Sequence, residues 1–190
     1  SRYRQIKEEQ KRNATILATD YYLKGLGAER EGNRLQALSF YFQALRSIEK
    51  YLGEAIRTVV DDREVLLTNE IYAAVQGVLR KIKIRVNPAE VLVNRRLAQS
   101  QLDVIATATF DDGSPVAGLA LNASFEKGNG DVFPEYTTNS DGIAKVLLTR
   151  IGSMEAEQSV RVKVNIDALS GTSGSQLYSL IARTLNVPSA

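Results

Sequence analysis

Apolar and polar residues recur with a helical period in the first part of this chain and with a period of two in the second. Residues 1–31 contain no proline, and their first glycine is Gly25. Ile6, Ile16, Leu17, Tyr21 and Leu26 keep a loose helical spacing, which predicts one long helix. Its first twelve residues carry five Lys/Arg and two Glu, so they read as a solvated extension. Gly32-Asn33 supplies a stop, because glycine takes the left-handed helix-closing conformation at little cost. Ala37, Tyr41 and Ala44 mark a second helix. Val59-Val-Asp-Asp-Arg63 reads as a helix end and loop. Ile71, Val75, Val78, Leu79 and Ile82 then fall at i, i+4, i+7, i+8 and i+11, the stripe of a third helix. Thr68 or Asn69 suits its N-cap and Glu70 its first turn.

The period changes at Lys81. Lys81-Ile-Lys-Ile-Arg-Val86 alternates strictly, as a half-buried strand does, and Asn87-Pro88 ends it. Further strands are expected at Val91–Val93, Leu102–Phe110, Leu119–Phe125, Val132–Thr138, Ile143–Thr149 and Val160–Ile166. The turn signals Asp112-Gly113, Lys127-Gly-Asn-Gly130, Asp141-Gly142 and Ile151-Gly152 lie between them. Seven short strands at this spacing suggest a β-sandwich. Ser170-Gly-Thr-Ser-Gly-Ser175 reads as a flexible linker. Leu177, Leu180, Ile181 and Leu185 fit a short amphipathic helix, stopped by Pro188. The expected fold class is therefore α+β. A three-helix unit spans 1–80, an all-β sandwich 81–169, and a linker with a short helix 170–190.

Charge supports a boundary near residues 85–97. Residues 1–96 carry net +6 and residues 97–190 net −4, although the whole chain is only +2. The basic run of Arg80, Lys81, Lys83, Arg85, Arg95 and Arg96 reads as the solvated face of a first strand, with an acidic partner or anionic lipid headgroups as the alternative. Nothing points to nucleic acid, since the basic N-terminal stretch lacks aromatic or glycine interleaving. No run of about 18 apolar residues exists to span a membrane. No signal peptide is visible, and a chain that opens inside a charged helix reads as part of a longer protein.

With no histidine and no cysteine, the commonest general base and the thiol nucleophile are both missing. No cofactor is expected, and catalysis is not. Gly171-Thr-Ser-Gly-Ser175 has the wrong spacing for a nucleophile elbow, and Gly128-Asn-Gly130 lacks the lysine of a phosphate loop. Asp111, Asp112, Asp131, Glu135 and Asp141 would need to converge at one end of the sandwich to hold calcium, and no Asp-x-Asp-x-Asp-Gly loop is present. Asp131 and Glu135 are the pair a hydrolase reading would need. Asn13-Ala-Thr15 and Asn122-Ala-Ser124 match the glycosylation triplet at chance level.

Two resemblances add to this picture. Tyr21 to Leu45 resembles one tetratricopeptide repeat. Tyr21 takes the large first position and Gly25 the small one, Ala28 follows, Gly32-Asn33 makes the turn, and Ala37, Tyr41 and Ala44 give the small/large/small second helix. Only one repeat is present, so the family's peptide-binding groove is not implied. Asp111-Asp-Gly-Ser-Pro115-Val116-Ala-Gly118, Asn122-Ala-Ser-Phe125, Gly128-Asn-Gly130 and Thr138-Asn-Ser-Asp141-Gly142-Ile-Ala144 resemble the bacterial immunoglobulin-like domains of invasins and intimins, over roughly residues 100–167. Both halves together resemble Gram-negative cell-envelope proteins and lipoproteins. That resemblance implies a non-catalytic interaction or spacer module in the periplasm or at the cell surface. Its partner would be another envelope protein or another domain of the same chain. Tyr21, Tyr22, Tyr41, Tyr51 and Tyr72 are the candidate partner-binding residues, with Tyr136 and Tyr178 further along, because tyrosine is favoured at interfaces. The alternative is a carbohydrate-binding or enzyme-accessory module using Phe125, Phe133 and Tyr136; the absence of tryptophan counts against it.

Overall fold

A computed structural model describes residues 1–92, 102–128, 130–151, 157–172 and 175–190. Helices come first and antiparallel sheets follow, so the α+β expectation holds. The chain divides into two compact units. One contains Ser1–Val78 and Ser170–Asn186; the other contains Leu79–Leu169 and Val187–Ala190.

In the helical unit, α1 (Arg2–Arg30) and α2 (Arg34–Ser47) are joined by a turn of three residues. Gly32, at φ 84°, closes α1. Its N–H donates to Glu29 O and the Asn33 N–H to Ala28 O, the paired bonds of a Schellman ending. The two helices come together on small residues, with Ala18, Ala28, Ala37 and Ala44 all buried. A Cβ on Gly25 would lie 2.5 Å from Cδ1 of Tyr41, so only glycine fits beneath that ring.

A hairpin follows where the sequence suggested a helix end and loop. β1 (Arg57–Val60) pairs with β2 (Arg63–Leu66), Val60 facing Arg63 across Asp61-Asp62. Both aspartates hold positive φ, 51° and 62°, as a two-residue hairpin turn of the primed type demands. Their short side chains tolerate that region better than most. α3 (Leu67–Leu79) begins directly after β2 and buries Leu67, Ile71, Val75, Val78 and Leu79. Ile82, placed on that stripe by spacing, lies instead in the next strand.

The second unit contains two four-stranded antiparallel sheets. β3 (Ile82–Asn87), β5 (Leu102–Phe110), β9 (Ile143–Thr149) and β7 (Asp131–Val132) form one, in that order. β4 (Glu90–Leu92), β10 (Glu157–Val164), β6 (Ala120–Lys127) and β8 (Glu135–Thr137) form the other. Val104, Ala106 and Ala108 of β5, and Ala144, Val146 and Leu148 of β9, alternate into the core. The predicted single strand Val132–Thr138 is two strands in different sheets. Pro134 lies between them, where its missing N–H is tolerated. Val93 and Gly152 lie outside the described residues.

The turn clusters are corners. Ser114 donates both its N–H and its hydroxyl to Asp112 Oδ1, at 2.9 and 2.6 Å. Asn139 Oδ1 accepts from the N–H groups of Asp141 and Ile143. Gly142 has φ 74°, and a Cβ there would strike Ala108 O. Thr138 ties the corner together. Its buried hydroxyl accepts from Leu119 N at 2.8 Å and donates to Val116 O at 2.6 Å.

Of the expected linker at 170–175, residues 173 and 174 lie outside the described residues, and Ser170 and Thr172 are buried rather than solvated. α4 (Ile166–Ser170) runs into this stretch, and the two hydroxyls bond at 2.6 Å. Arg46 donates from Nη1 to Ser170 O. α5 (Gln176–Thr184) buries Leu177 and Ile181. Gln76 of α3 clamps Asn186, donating to its carbonyl at 3.0 Å and accepting from its N–H at 2.8 Å. Pro188–Ala190 then pairs along β10, with Val162 and Ala190 exchanging both backbone bonds.

Three substitutions test these contacts by urea unfolding. Gly25→Ala is expected to lower stability by about 1–3 kcal/mol, because the Tyr41 ring must move. Gly27→Ala, on the same helix with only Arg30 Nη2 within reach at 3.9 Å, is expected to be neutral or to gain about 0.5 kcal/mol. Thr138→Val is expected to cost about 2 kcal/mol, since it strips partners from two buried backbone groups.

Candidate functional site

The five candidate tyrosines all belong to the helical unit, and the fold uses them unequally. Tyr22 and Tyr41 are buried, 5% and 0% exposed, with ring centroids 5.9 Å apart and tilted by 41°. Each phenol finds a carboxylate. Tyr41 donates to Glu29 Oε1 at 2.6 Å, and Tyr22 donates to Glu70 Oε2 at 3.3 Å. These two rings therefore join α1, α2 and α3 and present no surface to a partner. Tyr21, Tyr51 and Tyr72 are half-buried. The Lys24 ammonium lies 5.5 Å from the Tyr21 ring centroid. Tyr51 flanks a shallow depression with Lys7, Lys11, Lys50 and Glu54. Burial raises the Tyr72 phenol, partly offset by the Arg183 charge.

Burial also raises both core phenols. Tyr22 is pushed up to about 12, first by burial and then by the Glu70 charge and hydrogen bond. Tyr41 moves in the same direction, through burial and its bond to Glu29. A buried phenolate beside a carboxylate would be doubly unfavourable.

The exposed apolar surface lies elsewhere on α1. Its 29 residues extend about 44 Å, whereas the 14 of α2 extend about 21 Å. α2 is thus too short to cover α1, and the uncovered length begins at the N-terminus. Tyr3 (69% exposed), Ile6 and Leu17 fall on one side of that length by helical spacing. Ile16 and Leu23, a heptad apart, are exposed on another. The exposure of Tyr3 and Ile6 agrees with the reading of the first twelve residues as a solvated extension, but the spacing did not foretell that Ile16, Leu17 and Leu23 would be exposed as well. The signal that could have done so is the length of the proline-free run against the short second helix. Between α1 and the segment entering β1 lies an open cavity of about 390 Å³. Glu8, Arg12, Thr15, Ile16, Ala55 and Ile56 line it. Lys11 and Glu54 pair beside it at 3.5 Å. Val59, on the outer face of the hairpin, is 64% exposed.

The carboxylates considered for calcium or hydrolysis do not gather. Among the described residues no group of three or more Asp, Glu, His or Cys side chains comes together. Asp131 lies on β7 and pairs with Arg150 at 3.3 Å, while Glu135 lies on β8 in the other sheet. Asp112 serves its own turn. Of the aromatics in the sheet unit, Phe125 and Tyr136 are half-buried and Phe133 is exposed. Tyr178 on α5 is also exposed. Among the described residues no helix is long and apolar enough to cross a membrane.

The raised phenols give stability a pH dependence of defined sign. Below the ordinary tyrosine value of 10.0 the folded and unfolded states both hold the Tyr22 proton, and its contribution is fully present. Between 10.0 and about 12 the unfolded chain has lost that proton while the folded chain keeps it, so stability falls as pH rises. Urea midpoints across this window should drop, and Tyr22→Phe should flatten the drop.

No protein-family model matches the chain, and no curated protein or solved structure matches it significantly.

Proposed function

We propose that this chain is a non-catalytic interaction or spacer module of a bacterial cell-envelope protein, with its helical unit meeting the partner. The observation that carries the reading is the exposed start of α1, residues 2–10, with further exposed apolar side chains one to two turns on. Tyr3, Ile6, Ile16 and Leu17 stand exposed on one rigid element. Isolated surface apolar residues are ordinary, but several on one helix favour a protein contact. This moves the contact away from Tyr22 and Tyr41, whose place in the core gives them a structural task, and onto residues that flank them in sequence.

The immunoglobulin-like reading of the sheet unit draws support from its strand order. β3, β5, β9 and β7 follow the order of the first sheet of that fold, and β6 and β10 take the central places of the second. Pro188–Ala190 lies along β10 on the edge away from β6, where a last strand would lie. The order departs at β4, which follows β3 in the chain yet pairs with β10 in the second sheet, and at β8, which follows β7 yet pairs with β6. The extracytoplasmic setting rests on the turn motifs and on this order.

A photocrosslinking amino acid placed singly at Ile6, Ile16 or exposed Ser39 of α2, in the full-length protein within its own cells, tests the partner contact. Adducts to a discrete envelope protein from Ile6 and Ile16, and none from Ser39, are expected. Equal labelling from all three would remove α1 as the contact, and no adduct from any would leave the spacer role. Adducts to cytoplasmic proteins would overturn the envelope setting.

A further inference from the structure

The sheet unit has one exposed large aromatic beside a concavity. Phe133 sits between β7 and β8 and is 66% exposed. Tyr136 meets it edge-to-face, with centroids 5.9 Å apart and planes at 86°. Such a pair holds the Phe133 ring in one orientation without stacking a second ring over its full surface. The adjoining cavity, about 250 Å³, is lined by Phe133, Tyr136, Glu135, Thr137, Asn165 and small Ala120 and Ala168. Glu135 and Thr137 are exposed on the edge strand β8, so their oxygens are open to a ligand. Asn165 is buried, and its Oδ1 accepts from Ala168 N at 3.1 Å, which fixes that wall.

We propose that this cleft is a binding site for a neutral saccharide. A pyranose has a face of C–H groups and a rim of hydroxyls. The exposed Phe133 ring offers an apolar platform for the first. The Glu135 carboxylate and Thr137 hydroxyl offer hydrogen-bonding partners for the second, and Ala120 and Ala168 leave room for the ring. The wall is too shallow and too polar-rimmed to favour a purely apolar ligand. An organic cation is disfavoured because Phe133 is the one exposed ring at this cleft among the described residues, Tyr136 being half-buried, where an aromatic cage uses several open ring faces. The Glu135 charge disfavours uronic acids. This site is separate from the α1 contact, and either can fail without the other.

The whole chain is titrated by calorimetry and saturation-transfer NMR with maltotetraose, cellotetraose, an N-acetylglucosamine tetramer, oligogalacturonate and choline. Millimolar binding of at least one neutral oligosaccharide is expected. Phe133→Ala should weaken it about ten-fold, and its exposed position keeps the fold intact. Glu135→Gln should weaken neutral sugars and relieve the exclusion of oligogalacturonate. Failure of every neutral sugar to bind, binding unchanged in Phe133→Ala, or binding of choline alone would overturn the proposal.

Discussion

Two helices joined by a short turn bury only the stripe along which they touch, and the rest of the helical unit answers that limit. α1 and α2 approach closely because Gly25 carries no side chain beneath the Tyr41 ring. The approach leaves other faces of both helices open. α3 contributes Leu67, Ile71 and Val75 to the buried set, and α5 contributes Leu177 and Ile181. Polar contacts fix the pieces: Tyr22 to Glu70, Arg46 to the Ser170 carbonyl, and Gln76 on both backbone groups of Asn186. At the start of α1, where no further element among the described residues covers them, the apolar side chains of Tyr3 and Ile6 are exposed. The surface proposed for a partner is thus the remainder of the same packing problem.

The sheet unit solves its own problem by turn chemistry. Its corners are built from Asp112, Asn139 and Thr138, each satisfying backbone groups that the strands leave over. Their carboxylate and amide oxygens are taken up locally, which explains why a run so rich in Asp, Asn and Gly assembles no metal centre among the described residues. Local satisfaction of this kind is what makes such residues prevalent in turns.

Much of this architecture could be read from residue order. The strands at Leu102–Phe110 and Ile143–Thr149 show a clean period of two because one face is buried and the other wet. The end of α1 was readable because Gly32 is required there. The β1–β2 hairpin was not, since four-residue strands are too short to reveal a period and Asp-Asp is a weaker turn signal than Asn-Gly. Ser170 to Thr172 reads as linker by composition, yet its hydroxyls pair with each other inside the protein. The tyrosines show the deeper limit. Residue type marks them as interface material, but only the neighbours brought by the fold, Glu29 and Glu70, make Tyr41 and Tyr22 core residues.

The division of the chain has a consequence for its biogenesis. The segment Leu79–Leu169 forms a separate body, while Ser170–Asn186 returns to the unit begun by Ser1–Val78. The sheet unit is thus an insertion within the sequence of the helical one. During synthesis the unit begun by Ser1–Val78 is completed only after residues 170–186 have emerged. The intervening segment sets a long loop to close, although the entropy of closure grows only slowly with length. An independently folded insert would bring those ends together in advance. For the same reason, cutting the chain near residue 80 would not yield a complete helical domain: α5 would depart with the other fragment.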